Sequence, residues 1–193
     1  YYAFHNTSIT GTVLLHEGLK YVEGFGYTKI TSVHFPSTLE EIGNEAFAGC
    51  QSLITEISFP ESVKSIGRNA FANSAIKGNL ALPHNLESIG ESAFNDCMGL
   101  TGSLVIPDKV EIIQRWAFQR CGFTGTLTLP KGLLEIEDSA FAYTKFKGDL
   151  NIPSSVTTID LGAFMNTDFS GTLVLPSELI VLGSYAFRDC WRL

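Results

Sequence analysis

The sequence predicts a β-rich repeat solenoid, in which short strands stack in a parallel sheet and are joined by short helical or 3₁₀ turns. Three observations lead to this fold class. Proline recurs every 23 or 24 residues, an alanine followed by phenylalanine comes at a constant distance after each proline, and apolar residues keep fixed positions between them. Such periods are typical of architectures whose single unit cannot bury its apolar face, so that neighbouring units must stack.

The repeat is defined by seven prolines, and no proline lies outside the series. They are Pro36, Pro60, Pro83, Pro107, Pro130, Pro153 and Pro176. Eleven residues after them, in the same order, stand Phe47, Phe71, Phe94, Phe118, Phe141, Phe164 and Phe187. Positions three and one before the proline, and three and six after it, are apolar in all seven repeats. Equivalent residues should meet in adjacent coils, which makes the phenylalanines an aromatic column in the core.

The N-terminal stretch fits the same template with His16 in the place of the proline. Gly11, Val13, Leu15, Leu19, Val22 and Tyr27 then fall on repeat positions. Tyr27, eleven residues after His16, takes the phenylalanine position. This repeat is about three residues shorter than the others. We therefore predict one domain over residues 1–193, with a partial repeat in 1–10, a short degenerate repeat in 11–30 and seven repeats in 31–193, the last truncated.

Each repeat begins with the alternation of a strand that has one buried face. In GTLTLP at 125–130 the leucines are predicted to point inward and the threonines outward, and proline ends the strand because it lacks a backbone N–H. Glycine opens the strand at Gly11, Gly78, Gly102, Gly125, Gly148 and Gly171, where a conformation costly for other residues is expected. The segment VKSIG at 63–67 fits either a second extended stretch or a tight turn. For NEAFAGC at 44–50 a short helix or 3₁₀ turn is expected.

The composition argues against a disordered chain, a nucleic-acid-binding protein and a membrane-spanning protein. Of the 193 residues 45% are hydrophobic, which is ample for a buried core. The net charge of −7, from 13 basic and 20 acidic residues, argues against binding to nucleic acid. No apolar run exceeds four residues, so no membrane span is predicted. No secretory signal is visible either.

The motif set resembles one repeat family. The pattern LxIPxxVxxIGxxAFxxCxxL is seen at 57–70, and variants of it occur in all the remaining repeats. It is similar to the pattern of the BspA-like subclass of bacterial leucine-rich repeats. The chain departs from it by an extra residue in some repeats and by Gln114, Glu137 and Asp160 where the family prefers glycine. The resemblance implies a leucine-rich-repeat-like, curved, right-handed solenoid. It also implies a bacterial cell-surface or secreted protein that adheres to a protein or glycan on a host or neighbouring cell.

The four cysteines share one repeat position, and Ser74, Thr144 and Thr167 fill that position elsewhere. They are Cys50, Cys97, Cys121 and Cys190. A position that accepts Cys, Ser or Thr selects a small side chain, so we expect reduced core residues. A disulfide between Cys97 and Cys121, in adjacent repeats, stays open as the alternative. The sequence contains no paired CxxC motif, so a zinc site is not indicated.

No set of residues predicts catalysis, a metal or a cofactor. His5, His16, His34 and His84 occupy unrelated repeat positions and cannot converge. Glu40 and Glu41, and Glu135, Glu137 and Asp138, show no calcium-loop spacing, so solvated charge is expected. We therefore predict that the protein is not an enzyme.

The candidate binding surface consists of the outward strand positions, four and two residues before each proline. We call it the sheet face, and it comprises Ser32, His34, Glu56, Ser58, Asn79, Ala81, Ser103, Val105, Thr126, Thr128, Asp149, Asn151, Thr172 and Val174. Solenoids commonly bind along such a sheet. Small side chains of this kind are also what any solvent-exposed sheet needs, whether or not it binds a partner. The sheet face lacks the large aromatic or arginine side chains that dominate strong protein interfaces.

These observations favour a non-enzymatic interaction or adhesion scaffold that binds along the sheet face. A structural spacer that displays another domain, and a carbohydrate-binding accessory of an enzyme, remain the alternatives. The two ends of the solenoid expose apolar strand edges that no further repeat covers, near Tyr1, Tyr2, Trp191 and Leu193. These edges predict a longer parent protein or end-to-end association.

Overall fold

The chain forms a parallel β-solenoid of about eight turns, as predicted. A computed structural model describes residues 3–193, so Tyr1 and Tyr2 lie outside the described residues. Every strand pairing in it is parallel. The strands are β1 (Thr10–Leu14), β2 (Tyr21–Val22), β3 (Lys29–His34), β4 (Glu41–Ile42), β5 (Ser65–Ile66), β6 (Lys77–Asn79), β7 (Ser88–Ile89), β8 (Gly99–Thr101), β9 (Leu104–Val105), β10 (Ile112–Ile113), β11 (Leu127–Thr128), β12 (Glu135–Ile136), β13 (Thr158–Ile159) and β14 (Val181–Leu182).

The strands before the prolines pair between successive coils and bury one face. β1 pairs with β3, β6 with β8, and β9 with β11, while bridges join Ser58 to Ala81 and Asp149 to Ser170. The register of β1 on β3 shifts between Gly11 and Thr12. The predicted alternation in 125–130 is confirmed, since both leucines are buried and both threonines are exposed.

The segment after each proline is a second extended stretch, which decides the choice that the sequence left open. Its two-residue strands pair in the order β2-β4-β5-β7 and, further along the chain, β10-β12-β13-β14. The pairing is interrupted between β7 and β10, where the residue after the strand changes from Gly90 to Gln114. A Cβ on Gly90 would lie 2.6 Å from backbone atoms of Gly67 and Arg68, so the coils approach closely there. Further along the chain Glu137 and Asp160 fill the same column, and the strands before them remain paired.

The predicted short helix or 3₁₀ turn at 44–50 is not formed, and successive turns take its place. Backbone N–H groups there alternate between two kinds of partner. The N–H of Ala48 donates to the carbonyl of Glu45 at 3.3 Å, whereas that of Phe47 donates to the carbonyl of Ala70 in the next coil at 2.7 Å. Because alternate donors are used between coils, an α-helical ladder cannot form. No helix within residues 3–193 is long and apolar enough to cross a membrane.

The phenylalanine column is a continuous stack of rings that is buried in the core except at its two ends. Centroid separations run from 5.1 Å to 5.7 Å through Phe4, Phe25, Phe47, Phe71, Phe94, Phe118, Phe141, Phe164 and Phe187. The placement of Tyr27 in this column is wrong. Phe25 takes the position, and Tyr27 is 55% exposed. The degenerate repeat has only two residues between Val22 and Phe25, whereas an intact repeat has four between the equivalent pair, Ile42 and Phe47.

Candidate interaction surfaces

The sheet face is a continuous outer surface, as the alternation predicted. Thirteen of its fourteen residues are exposed and Ser32 is half-buried. Val105 and Val174 are its most exposed apolar side chains, at 60% and 70%. The face therefore offers small polar and aliphatic groups in rows that follow the stacking of the coils.

Glycines at the start of the strands make room for the side chains of this face. A Cβ at Gly102 would lie 2.3 Å from Oδ1 of Asn79, and a Cβ at Gly171 would lie 2.7 Å from Oδ1 of Asp149. Both glycines have a positive φ, of 75° and 95°. The expected special conformation is found at five of the six strand-opening glycines and is wrong for Gly125, which does not have a positive φ. At Gly102 and Gly171 a polar side chain of one coil reaches over the backbone of the next.

Several polar groups of the sheet face are already bonded to one another. The hydroxyls of Thr12 and Ser32 lie 2.7 Å apart. Ser103 Oγ accepts both the N–H and the hydroxyl of Thr126, at 2.9 and 3.1 Å. A ligand on these coils must therefore compete with internal hydrogen bonds, which lowers the net gain from each contact.

Two clefts open on the sheet face between adjacent coils. The first, of about 410 Å³, is lined by Glu56, Asn79 and Ala81 among others. The second, of about 290 Å³, is lined by Asn151 and Val174 among others. Carboxylate, amide and aliphatic groups together can bind an extended polar ligand by hydrogen bonds with modest apolar contact.

The charged side chains form ladders between coils rather than a reaction centre. Glu40 Oε1 lies 2.8 Å from Lys20 Nζ, and Glu40 Oε2 lies 3.7 Å from Lys64 Nζ. These ammonium groups, the hydrogen-bonded Lys20 first, lower the pKa of Glu40. The histidines lie in separate coils, and His84 is paired with Glu61 at 3.3 Å. Within residues 3–193 no three His, Cys, Asp or Glu side chains come together in a way that could hold a metal ion.

The cysteine column has a role that the sequence did not reveal. Cys97 Sγ donates to the carbonyl of Phe71 in the preceding coil at 3.1 Å, and Cys121 Sγ donates to that of Phe94 at 3.0 Å. All four thiols are free, with Cys190 only half-buried. Burial raises the pKa of Cys97 to about 12 and that of Cys121 well above its usual value. Both thiols are therefore protonated donors, as the bonds require.

A second surface, which sequence reasoning missed, is formed by the turns. We call it the turn face and define it by the residues eight, nine, twelve and thirteen positions after each proline. Three arginines on it lie over aromatic rings, at 5.2 to 5.8 Å from the ring centroid; the pairs are Arg115 on Trp116, Arg120 on Tyr143 and Arg188 on Tyr185. The available signal was the replacement of small residues by tryptophan and tyrosine at these repeat positions.

Comparison with known families agrees with this architecture. The profile of the BspA type leucine rich repeat region matches residues 21–102 and 78–193, with six copies. The chain belongs to this family. BspA-type repeats thus account for the proline, alanine and phenylalanine columns, and leucine-rich repeat solenoids usually serve as protein-interaction scaffolds and are typically not enzymes. A search of curated proteins finds no match.

Solved structures of bacterial leucine-rich repeat proteins are similar to this BspA-type solenoid. One from Bacteroides ovatus has a TM-score of 0.66 and 23% identity, over 98% of this chain and 55% of that one. A leucine rich cell surface protein from Faecalibacterium prausnitzii has a TM-score of 0.60 and 28% identity, over 83% and 47%. A T. pallidum leucine rich repeat protein has a TM-score of 0.57 and 24% identity, over 87% and 77%. The chain thus spans about half the length of the first two proteins.

Proposed function

We propose that this BspA-type solenoid is an adhesion module of a bacterial surface or secreted protein, which binds a protein or glycan along the sheet face. The observation that carries the proposal is the series of exposed side chains that recurs at the same positions on successive coils. Such a row presents the same kinds of group at regular intervals, so a long ligand can make many weak contacts at once.

Two further observations support this function. The clefts at Glu56 and at Asn151 lie on the sheet face, several coils apart, so an extended ligand meets more than one of them. The Faecalibacterium prausnitzii protein, at 28% identity, is described as a cell surface protein. A surface location would place the sheet face where host or neighbouring-cell molecules are accessible.

A binding panel with face variants tests the proposal. The chain is multimerised on beads and incubated with purified extracellular-matrix proteins and with a glycan array. We expect saturable binding that falls about tenfold in the variant Glu56→Ser, Asp149→Ser, Asn151→Ser, because these are among the larger polar groups of the face. The matched control is Glu87→Ser, which replaces an exposed carboxylate outside the sheet face.

A structural spacer is the second candidate, and the internal hydrogen bonds of the face favour it. Thr12 with Ser32, and Ser103 with Thr126, satisfy each other without a ligand. The spacer function predicts no saturable binding anywhere on the panel and unchanged attachment of cells that carry the triple variant. Loss of attachment in that variant would exclude it in favour of adhesion.

A further inference from the structure

One junction between coils lacks the backbone hydrogen bonds that join the other coils after their prolines. At six junctions the residue seven positions after the proline donates its N–H to the preceding coil, as Gly67 does to the carbonyl of Ile42 at 2.8 Å. Between β7 and β10 the equivalent groups, the N–H of Gln114 and the carbonyl of Ile89, are not joined. The ladder is therefore divided into two blocks of four strands.

The unbonded stretch covers one whole side of this junction. Among the described residues no backbone hydrogen bond joins 80–90 to 103–114, two segments that contain the proline corners of their coils. The strands of the sheet face follow the same division. Ala81 is bridged to Ser58 of the preceding coil, whereas β9 pairs with β11 of the following coil. We call this junction the seam.

Backbone bonds hold the seam on its remaining sides. At one end of the unbonded stretch β6 pairs with β8. At the other end the N–H groups of Ser92, Phe94 and Asp96 donate to the next coil at 2.9 to 3.0 Å. A rotation about these bonded sides opens the proline corner without breaking any backbone hydrogen bond there.

The corner is closed by apolar side chains and by one lysine. Four side chains on its two sides are completely buried, namely Leu86, Ile89, Val110 and Ile113. Apolar contact is non-directional, so it favours closure but does not fix an angle. Across the corner Lys109 Nζ lies 3.4 Å from Asn85 Oδ1 and 3.7 Å from Glu87 Oε1. Such exposed pairs bind weakly.

The backbone groups at the seam lose little when it opens. The N–H groups of Glu111 and Ile112 make no bond to the preceding coil, and both residues are exposed. Backbone groups of this kind are satisfied by water. Opening the corner therefore breaks no bond of theirs, whereas opening any of the six bonded corners does.

We propose that the seam is a hinge at which the solenoid bends, so that the proline corner opens and closes while the turns stay bonded. The cleft at Glu56 lies before the seam, and the cleft at Asn151 lies beyond it. Bending therefore changes the distance between the two clefts. A ligand that occupied both would hold the hinge at one angle, and this consequence alone rests on the proposed function.

Thiol labelling of the folded chain tests the hinge. Val110→Cys and Leu86→Cys place a thiol at the seam, and Val156→Cys and Leu133→Cys are matched controls in coils that are bonded on both sides. All four side chains are completely buried. Iodoacetamide is added under native conditions, and peptide mass spectrometry follows the labelling of each new thiol. We expect the seam thiols to react at least about tenfold faster than their controls.

The lysine pair at the corner gives a second test. Glu87→Ala removes the ion pair across the seam and should raise the labelling rate of Val110→Cys about two- to fivefold. The matched control Glu40→Ala removes an ion pair of the same length, 3.7 Å, at a corner whose backbone bonds remain. It should leave the labelling rate of Val63→Cys unchanged.

Equal labelling rates in either matched pair would overturn the inference. It would also be overturned if the difference disappeared after each rate is divided by the unfolded fraction of the same variant, measured by urea denaturation. The thiols would then be exposed by global unfolding and not by local opening. These outcomes involve no ligand, so the hinge and the adhesion function can fail separately.

Discussion

The rings of Phe94 and Phe118 stack with centroids 5.5 Å apart and planes 4° from parallel, although a full repeat separates the two residues in sequence. Both side chains are completely buried. The same contact recurs from coil to coil, so each phenylalanine in the interior of the stack stabilises two interfaces. The stability of this solenoid should therefore depend most strongly on the central rings.

Replacing a central ring should destabilise the chain far more than replacing the last one. We expect Phe118→Ala to lower the free energy of unfolding by about 3–5 kcal/mol, since it leaves a cavity between two coils. Phe187→Ala is the matched control, because Phe187 is half-buried and stacks on Phe164 alone among the described phenylalanines. Urea unfolding followed by circular dichroism measures both. Equal losses would contradict a stack that is stabilised from both sides.

The thiol of Cys97 should be replaceable by the hydroxyl group of serine, but its removal in alanine should be costly. Cys97→Ser keeps a donor for the carbonyl of Phe71 and follows Ser74, which fills the same position one coil earlier. Cys97→Ala leaves that buried carbonyl without this donor and should cost about 1–3 kcal/mol. Thermal unfolding of the two variants provides the comparison. A Cys97→Ala chain as stable as Cys97→Ser would show that the bond contributes nothing.

Alkaline pH should weaken the fold through the buried thiols. The pKa of Cys97 is about 12 in the folded chain, against an ordinary value of 9.0. Between these values the unfolded chain loses the thiol proton and the folded chain keeps it, so stability falls as pH rises. At pH 10 the loss should be on the order of 1–2 kcal/mol per thiol.

Urea midpoints from pH 7 to pH 10 measure this loss. The variant Cys97→Ser, Cys121→Ser should show a shallower decline than the unmodified chain, because a serine hydroxyl does not ionise in this range. Identical slopes in the two proteins would assign the alkaline loss to other groups.

Adding a methyl group at Gly90 should be costly because the coils approach closely there. The new Cβ would lie 2.6 Å from backbone atoms, which cannot rotate away, so we expect a loss of about 1–3 kcal/mol. Gly132→Ala is the matched control, since nothing lies within 4 Å of its Cβ position. Denaturant unfolding compares them. Similar effects of the two substitutions would mean that the contact at Gly90 is not tight.

The bulky residues of the turn face should reduce stability. Tyr143 has a φ of 60°, and its ring is joined to Arg120 by a contact worth about 0.5–1 kcal/mol at an exposed site. Relief of backbone strain in Tyr143→Asn should exceed this contact, since such strain amounts to about 1–3 kcal/mol. We therefore expect a modest rise in the melting temperature of this variant. A fall would show that the contacts of the tyrosine outweigh its backbone strain.

The repeat, its phase and the direction of most side chains can be predicted from the residue pattern alone. Repeat positions that always hold the same residue type require equivalent coils. The period-two alternation assigns the leucines of 125–130 to the core and the threonines to the sheet face. The small-residue column likewise predicted buried cysteines. These features follow from local pattern alone, which is why they could be derived without coordinates.

The hydrogen-bond partners that lie in another coil could not be predicted from the sequence, because they depend on how the coils stack. The N–H of Phe47 reaches Ala70 and the thiol of Cys97 reaches Phe71, so turns replace the expected helix and the cysteines become donors. For the same reason the stack selected Phe25 over Tyr27.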